Sequence, residues 1–197
     1  MSEKAIQNRN RIIDIANQLF YFRGFNQTSF TDIAEESAIP RGNFYYYFKS
    51  KDEILAAVID KRLADIRNQL SSWDKECPSA QECILKFIKM IQKEAGMLIK
   101  FGCPMGSLNV ELGKAQPELR QLARQMFDLY KMWLSSKFDT FTTDKEAKDL
   151  AIQLLIRAQG VAVLAHTYED RKLIKQETER MTDWVRSLST FSDAAIS

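Results

Sequence analysis

The stretch from Arg41 to Lys51, RGNFYYYFKSK, concentrates the groups that recognise phosphates and base edges. It holds three cations and no acid, in a chain where 28 Lys+Arg nearly balance 26 Asp+Glu. On a helix turning about 100° per residue, Phe44 and Phe48 share one face and Gly42 and Tyr46 point almost directly away. Asn43 and Tyr45 fall on the flanks. A glycine on the outward side lets the backbone approach base edges. Arg41 can reach guanine N7 and O6, and Asn43 can pair with adenine N6 and N7. Tyrosine hydroxyls and lysine ammoniums suit phosphate oxygens, which fix register without reading sequence. Packing alone explains Phe44 and Phe48. It leaves Tyr45, Tyr46 and Tyr47 unexplained, because at least one of three consecutive tyrosines faces outward on any helix. The pattern fits the major groove of DNA.

Such a face needs a short helix held by others, and the flanking sequence supplies them. Ile12, Ala16, Leu19 and Phe20 form the apolar stripe of a first helix ending near Gly24. Ser29 with Asp32 reads as the capped start of a short second helix, whose N-terminal amides and Thr31 would also meet phosphate. Pro40 opens the third segment, Arg41 to Phe48, in the first-turn position. Ser50 with Glu53 caps a longer fourth helix carrying Ile54, Leu55, Val58, Ile59, Leu63 and Ile66 at helical spacing. Two short helices joined by a tight polar link and braced by a longer one are the sequence form of a helix-turn-helix.

Beyond Trp73, a polar break (DKECP) precedes a cap at Ser79 and Glu82. Gly102, Pro104 and Gly106 interrupt the helix that follows. Further helices run from about Pro117 to Phe138, from a cap at Thr143 with Glu146, and from about Lys172 to Leu188. The reading is all-α, with about nine helices and no convincing strand. It places an N-terminal three-helix DNA-binding domain at 1–50, a connecting helix at 51–72, and a C-terminal helical bundle for ligand binding and dimerisation at 73–197.

Composition agrees with a helical globular protein: 197 residues, 45% hydrophobic, 27% charged, with only 7 Gly and 4 Pro. A net charge of +2 means that nucleic-acid binding must come from a local patch. Cys77, Cys83 and Cys103 are too few and too irregular for a disulfide framework or a zinc site, and their odd number fits a reducing compartment. The longest late run without a charge, Ala158–Tyr168, has 11 residues, against the roughly 20 of a membrane span. The polar start, MSEKAIQNRNR, has no signal-peptide core. The expectation is a soluble cytoplasmic protein without cofactor or metal.

The run TSFTDIAEESAIPRGNFYYYFKSKDEI, Thr28 to Ile54, resembles the N-terminal signature of the TetR family of bacterial transcriptional regulators. Asp32-Ile33-Ala34, Gly42-x-Phe44-Tyr45-Tyr46-x-Phe48 and Ser50-Lys51-Asp52-Glu53 all fall in register. Pro40 stands where small polar residues are common, and Tyr47 where histidine is frequent. The resemblance implies a homodimer whose recognition helices enter successive major grooves of a pseudo-palindromic operator, with half-sites about one helical turn (~34 Å) or slightly more apart. It aligns Arg41, Gly42 and Asn43 with base-reading positions, and Tyr45, Tyr46 and Lys51 with phosphate contacts; Tyr47 and Lys49 lie on the same margin. It also implies repression relieved by a small molecule bound to the C-terminal domain.

In that domain Phe87, Met90, Phe101, Met105, Phe127, Tyr130 and Trp133 belong to aromatic and methionine-rich faces. Packing accounts for most of them, and the adaptability of methionine suits a hydrophobic inducer pocket. The penultimate helix, with Leu154, Leu155, Ala158, Val161, Ala162 and Ala165 around Gly160, is the expected dimer seam together with the last helix. Cys103, in Phe101-Gly102-Cys103-Pro104-Met105-Gly106, precedes a helix, where a thiol gains thiolate character. The only histidine, His166, is its candidate proton acceptor or hydrogen-bond partner. The GC-x-x-G-x-L-x-x-E pattern is similar to a TetR subgroup in which this cysteine answers electrophiles or oxidants. The alternative is a turn with a packed thiol.

No G-x-S-x-G elbow, phosphate-cradling glycine loop or H-E-x-x-H motif is present, and one histidine leaves no triad or metal centre, so an enzyme is not expected. The competing class is a helical module that presents its tyrosines to a protein partner.

Overall fold

A computed structural model describes residues 2–113 and 116–194, with the side chains of Arg41 and of residues 189–194 outside the description. Ten α-helices are described and, among the described residues, no strand: α1 Glu3–Phe22, α2 Phe30–Glu36, α3 Arg41–Tyr47, α4 Lys51–Glu76, α5 Ala80–Lys93, α6 Ala95–Phe101, α7 Pro104–Leu112, α8 Pro117–Phe138, α9 Asp144–Thr167 and α10 Arg171–Ala194. The boundary that sequence periodicity did not reveal lies at Glu94. Its amide bonds back to the Met90 carbonyl, and its own carbonyl accepts the first bonds of α6. No proline marks this break, and the nearest glycine, Gly96, lies within the first turn of α6.

The chain forms two compact units. One comprises residues up to Asp65 together with Pro104–Met126; the other comprises Ile66–Cys103 and the residues from Phe127 onward. The expected linear division at 50 and 72 therefore does not describe the packing. Both α4 and α8 contribute residues to each unit, and α7 belongs with the N-terminal helices.

In the first unit, α1 packs on α2 and α7, and α2 packs on α3. Ile12, Ala16, Leu19 and Phe20 are buried on α1, as their spacing requires, with Ile54, Leu55, Val58 and Ile59 buried on α4. Ser29 and Asp32 complete a reciprocal cap on α2: Ser29 Oγ accepts from the Asp32 amide at 3.0 Å, and Asp32 Oδ2 accepts from the Ser29 amide at 2.7 Å. The Ser50 cap is differently built. Ser50 Oγ accepts from the Glu53 amide at 3.1 Å, but the Glu53 carboxylate takes the amide of Lys49 at 2.7 Å, one residue further back. Pro40 is the N-cap of α3 rather than its first helical residue, and Phe48 is already extended, with φ −143° and ψ 139°.

In the second unit, α10 packs on α5, α6 and α9, and α6 packs on α9. α5 buries Cys83, Ile84, Leu85, Phe87, Ile88 and Ile91. α9 buries Leu154, Leu155, Ala158, Val161, Ala162 and Ala165. The residues expected to form the dimer seam are thus this unit's own core. The opposite side of α9 is the exposed one, with Ile152, Ile156 and Val163 at 39%, 64% and 60% exposure and Gly160 among them. An apolar side on both faces explains why α9 is long and apolar enough, by length and composition alone, to cross a membrane.

Candidate nucleic-acid interface

The short helix α3 is anchored from beneath. Phe44 and Phe48 are buried at 1% and 3% exposure, each contributing about 2 kcal/mol by leaving water. The Phe30 ring of α2 meets Phe44 edge-on at 4.8 Å and lies 5.3 Å from Tyr45. The Arg9 guanidinium sits 5.0 Å over Phe48. The rotation that buries these phenylalanines turns the rest outward: Gly42 and Asn43 are exposed, and Tyr45 and Tyr46 are 56% and 65% exposed. A Cβ added at Gly42 would meet nothing within 4 Å, so the protein itself does not require glycine there.

The turn before α3 uses a feature the sequence did not signal. Ala38 is left-handed, with φ 53°, a conformation costing about 1 kcal/mol for a residue with a Cβ. Ser37 is fully buried and donates to the Ala34 carbonyl at 2.9 Å, which holds the turn closed.

The remaining expected contacts divide. Thr31 is exposed on the first turn of α2, while the Ser29 and Asp32 amides are committed to the cap. Tyr47 is half-buried, and its hydroxyl accepts from Asn8 Nδ2 at 3.0 Å. Lys49 is exposed, and its ammonium donates to the Tyr45 carbonyl. Lys51 is engaged within the protein: its Nζ donates to the Phe25 carbonyl at 2.9 Å and lies 4.1 Å from the centre of the Phe25 ring. A cation in a first helical turn opposes the helix dipole, and here it turns back onto a carbonyl and an aromatic face. The Arg41 side chain lies outside the described residues, although Arg41 itself opens α3.

The loop between α1 and α2 is gripped from α7. Glu111 Oε2 accepts from the Asn26 amide at 3.0 Å, and Asn26 Nδ2 donates to the Glu111 carbonyl at 3.3 Å. Gly24, with φ 88°, faces the same carboxylate, which a Cβ would approach to 3.0 Å. Arg62 of α4 donates to Asn17 Oδ1 at 2.7 Å and to the Pro104 carbonyl at 3.1 Å. These partners lie between 42 and 85 residues apart, beyond what local patterning reveals.

This arrangement is the surface of a helix-turn-helix. The family model for bacterial regulatory proteins of the tetR family matches residues 12–58, which span α1 to the start of α4. An uncharacterised HTH-type transcriptional regulator from the lacX 3′ region of Lactococcus lactis subsp. lactis is 28% identical over 173 residues, covering 85% of this chain and 87% of that protein. Residues 12–58 are a TetR-type helix-turn-helix segment. The HTH-type transcriptional repressor DhaR of Mycobacterium sp. (strain GP1) is 25% identical over 150 residues, 75% of this chain and 74% of its own. The crystal structure of a TetR transcriptional regulator from Chloroflexus aurantiacus J-10-FL shares the fold with a TM-score of 0.83 at 20% identity, covering 94% of this chain and 97% of that one. The chain is an HTH-type DNA-binding transcriptional regulator and not an enzyme.

The expected inducer residues of this regulator are only partly brought together. The Phe87 and Tyr130 rings lie 5.5 Å apart, tilted 57° to each other. The Tyr130 hydroxyl donates to Gln69 Oε1 at 2.9 Å and lies 3.9 Å from Met90 Sδ. Burial, and then the neighbouring Cys103, push that hydroxyl up to about 12, so it stays a neutral donor. Cys103 is buried and accepts from Gln159 Nε2 at 3.5 Å. Trp133 belongs to another cluster, 5.6 Å from Trp73, with its indole N–H on Asp74 Oδ1 at 2.8 Å. Phe101 and Phe127 are half-buried, and Met105 belongs to the first unit.

His166 is exposed, and its Nδ1 lies 2.7 Å from the Ile99 carbonyl oxygen. That contact places the ring proton on Nδ1, as a donor, rather than leaving this nitrogen to accept one from Cys103. A cleft of about 260 Å³ lies apart from all of these residues, lined by Gln92, Ala95, Arg171, Ile174 and Lys175.

Proposed function

We propose that the protein is a cytoplasmic homodimeric repressor whose two copies of α3 occupy successive major grooves of a pseudo-palindromic operator. The observation that carries this reading is the outward face of α3. Gly42, Asn43, Tyr45 and Tyr46 project above buried Phe44 and Phe48, and no protein atom crowds Gly42. In this reading Arg41, Gly42 and Asn43 meet base edges. Thr31, Tyr45, Tyr46 and Lys49 meet phosphates, and Tyr47 supports that margin through Asn8. Lys51 acts mainly by fixing Phe25, a supporting role in place of a direct phosphate contact.

Dimerisation uses the outer side of α9, with Ile152, Ile156, Gly160 and Val163, alongside α10. Gly160 has no atom within 4 Å of an added Cβ, which leaves room for a second helix to approach closely. A small hydrophobic inducer binds near Phe87, Met90 and Tyr130, where Gln69 and Gln159 supply polar groups that orient a ligand. The relative named as a repressor, DhaR, supports the sign of regulation.

The test is selection of a duplex from random DNA, followed by titration at several ionic strengths. A DNA-reading dimer enriches an inverted repeat and loses roughly 10³-fold or more in affinity between about 50 and about 200 mM salt. Enrichment of no sequence, with a shallow salt slope, favours the protein-partner alternative.

A further inference from the structure

Cys77 and Cys83 flank the link between α4 and α5 and are tied to one carbonyl, that of Trp73. Cys77 directly follows α4, and its amide donates to the Trp73 carbonyl at 2.9 Å. Cys83, in the first turn and a half of α5, turns its thiol onto the same carbonyl at 3.7 Å. Cys77 is near enough to Cys83 to help push the Cys83 thiol's pKa up. One is half-buried and reachable; the other is buried. The Lys86 ammonium, paired with Glu76, lies near both sulfurs. On the other side, Lys137 and Asp74 form an ion pair of 2.8 Å beside Cys83.

We propose that Cys77 and Cys83 form a reversible intramolecular disulfide when the protein meets a hydroperoxide, a modification site separate from Cys103. The Cys77 thiol first gives its proton to water. Its thiolate attacks the distal oxygen of ROOH: an S–O bond forms, the O–O bond breaks, and the departing alkoxide takes a proton from solvent to leave as ROH. The Cys83 sulfur then attacks the Cys77 sulfenic acid. An S–S bond forms, the S–O bond breaks, and hydroxide leaves with the Cys83 proton as water. Two thiols and one hydroperoxide give one disulfide, one alcohol and one water, with two electrons passing from sulfur to oxygen.

Burial sets the order of the two sulfurs. Desolvation, and then the Cys77 thiol, push the Cys83 thiol up to about 12. Cys83 therefore keeps its proton until the second step, while the half-exposed Cys77 meets the oxidant first. The Trp73 carbonyl holds the Cys83 sulfur and the Cys77 amide at one point before any oxidation, and only five residues separate the cysteines, so closing the bridge requires little movement of the chain.

The test uses the full-length protein with hydrogen peroxide, followed by alkylation and tryptic digestion. Cleavage after Lys75 and Lys86 leaves both cysteines in the peptide Glu76–Lys86. The expected result is that this peptide loses two hydrogens in mass and takes no alkyl group, and that dithiothreitol restores two alkylatable thiols. Cys103 is alkylated as in the untreated protein. In Cys77→Ser, Cys83 remains alkylatable after peroxide, and the circular dichroism melt verifies that this variant is folded. A peptide that still takes two alkyl groups, carries only a sulfinate on Cys77, or is joined to a second chain overturns the proposal.

Discussion

Gly42 separates what the folded chain needs from what its partner needs. A methyl group at this position meets nothing within 4 Å in the protein, and alanine is the better helix former by roughly 0.5–1 kcal/mol. Gly42→Ala should therefore raise the melting temperature and still weaken operator binding, because the added carbon stands where base edges approach. Calorimetry and a binding titration on the same preparation check both halves. Tyr46, at 65% exposure, is the matching case for phosphate: Tyr46→Phe keeps the ring and should lose several-fold in affinity with an unchanged melt.

At this scale much was legible, since a helical rotation of about 100° per residue already separates Phe44 and Phe48 from Gly42 and Tyr46. Lys51 and Tyr47 were not. Their partners Phe25 and Asn8 lie 26 and 39 residues away, and composition cannot show whether a cation or hydroxyl is already engaged.

The helices α2 and α3, seven residues each, are too short to persist alone, so their ends and supports decide their stability. Ser29→Ala removes the α2 cap and should cost about 1 kcal/mol in chemical denaturation. The Ser29 backbone amide, followed by its hydroxyl, holds the Asp32 carboxyl below its ordinary value of 3.8. The unfolded chain binds that proton more readily. The cap's charge contribution is thus complete above about pH 4 and fades as acid reaches the lower folded value. Asp32→Asn should flatten this part of the acid limb in a stability-versus-pH series.

Glu111→Ala leaves the Asn26 amide without its acceptor and loosens the α1–α2 loop. It should reduce operator affinity and lower the stability of the first unit by about 1 kcal/mol or more. The caps at Ser29, Ser79 and Thr143 could be read locally, as could the α8 limits. The break at Glu94, the left-handed Ala38 and the Glu111 grip depend on tertiary packing and carry no local residue signature.

For the whole molecule, the sequence offered the apolar residues of α9 as a dimer seam, and those same residues are buried within their own unit. Leu154, Leu155 and Ala158 fill the interior of their own unit, whereas Ile152, Ile156 and Val163 face outward. Both faces are apolar, so periodicity could not tell which one the protomer had already used. Ile156→Glu puts a charge into the proposed seam and should convert the dimer to a folded monomer by analytical ultracentrifugation, with a corresponding loss of operator affinity.

The reading surface itself is tested most directly by fluorescence-anisotropy titration of a selected operator duplex, comparing the parent with an Asn43→Ala/Tyr46→Ala variant that melts normally and remains dimeric. If the exposed side of α3 reads the duplex, the variant loses at least tenfold in affinity and much of its preference over scrambled DNA. Equal affinity and equal preference in the two proteins would contradict the assignment of that side to DNA.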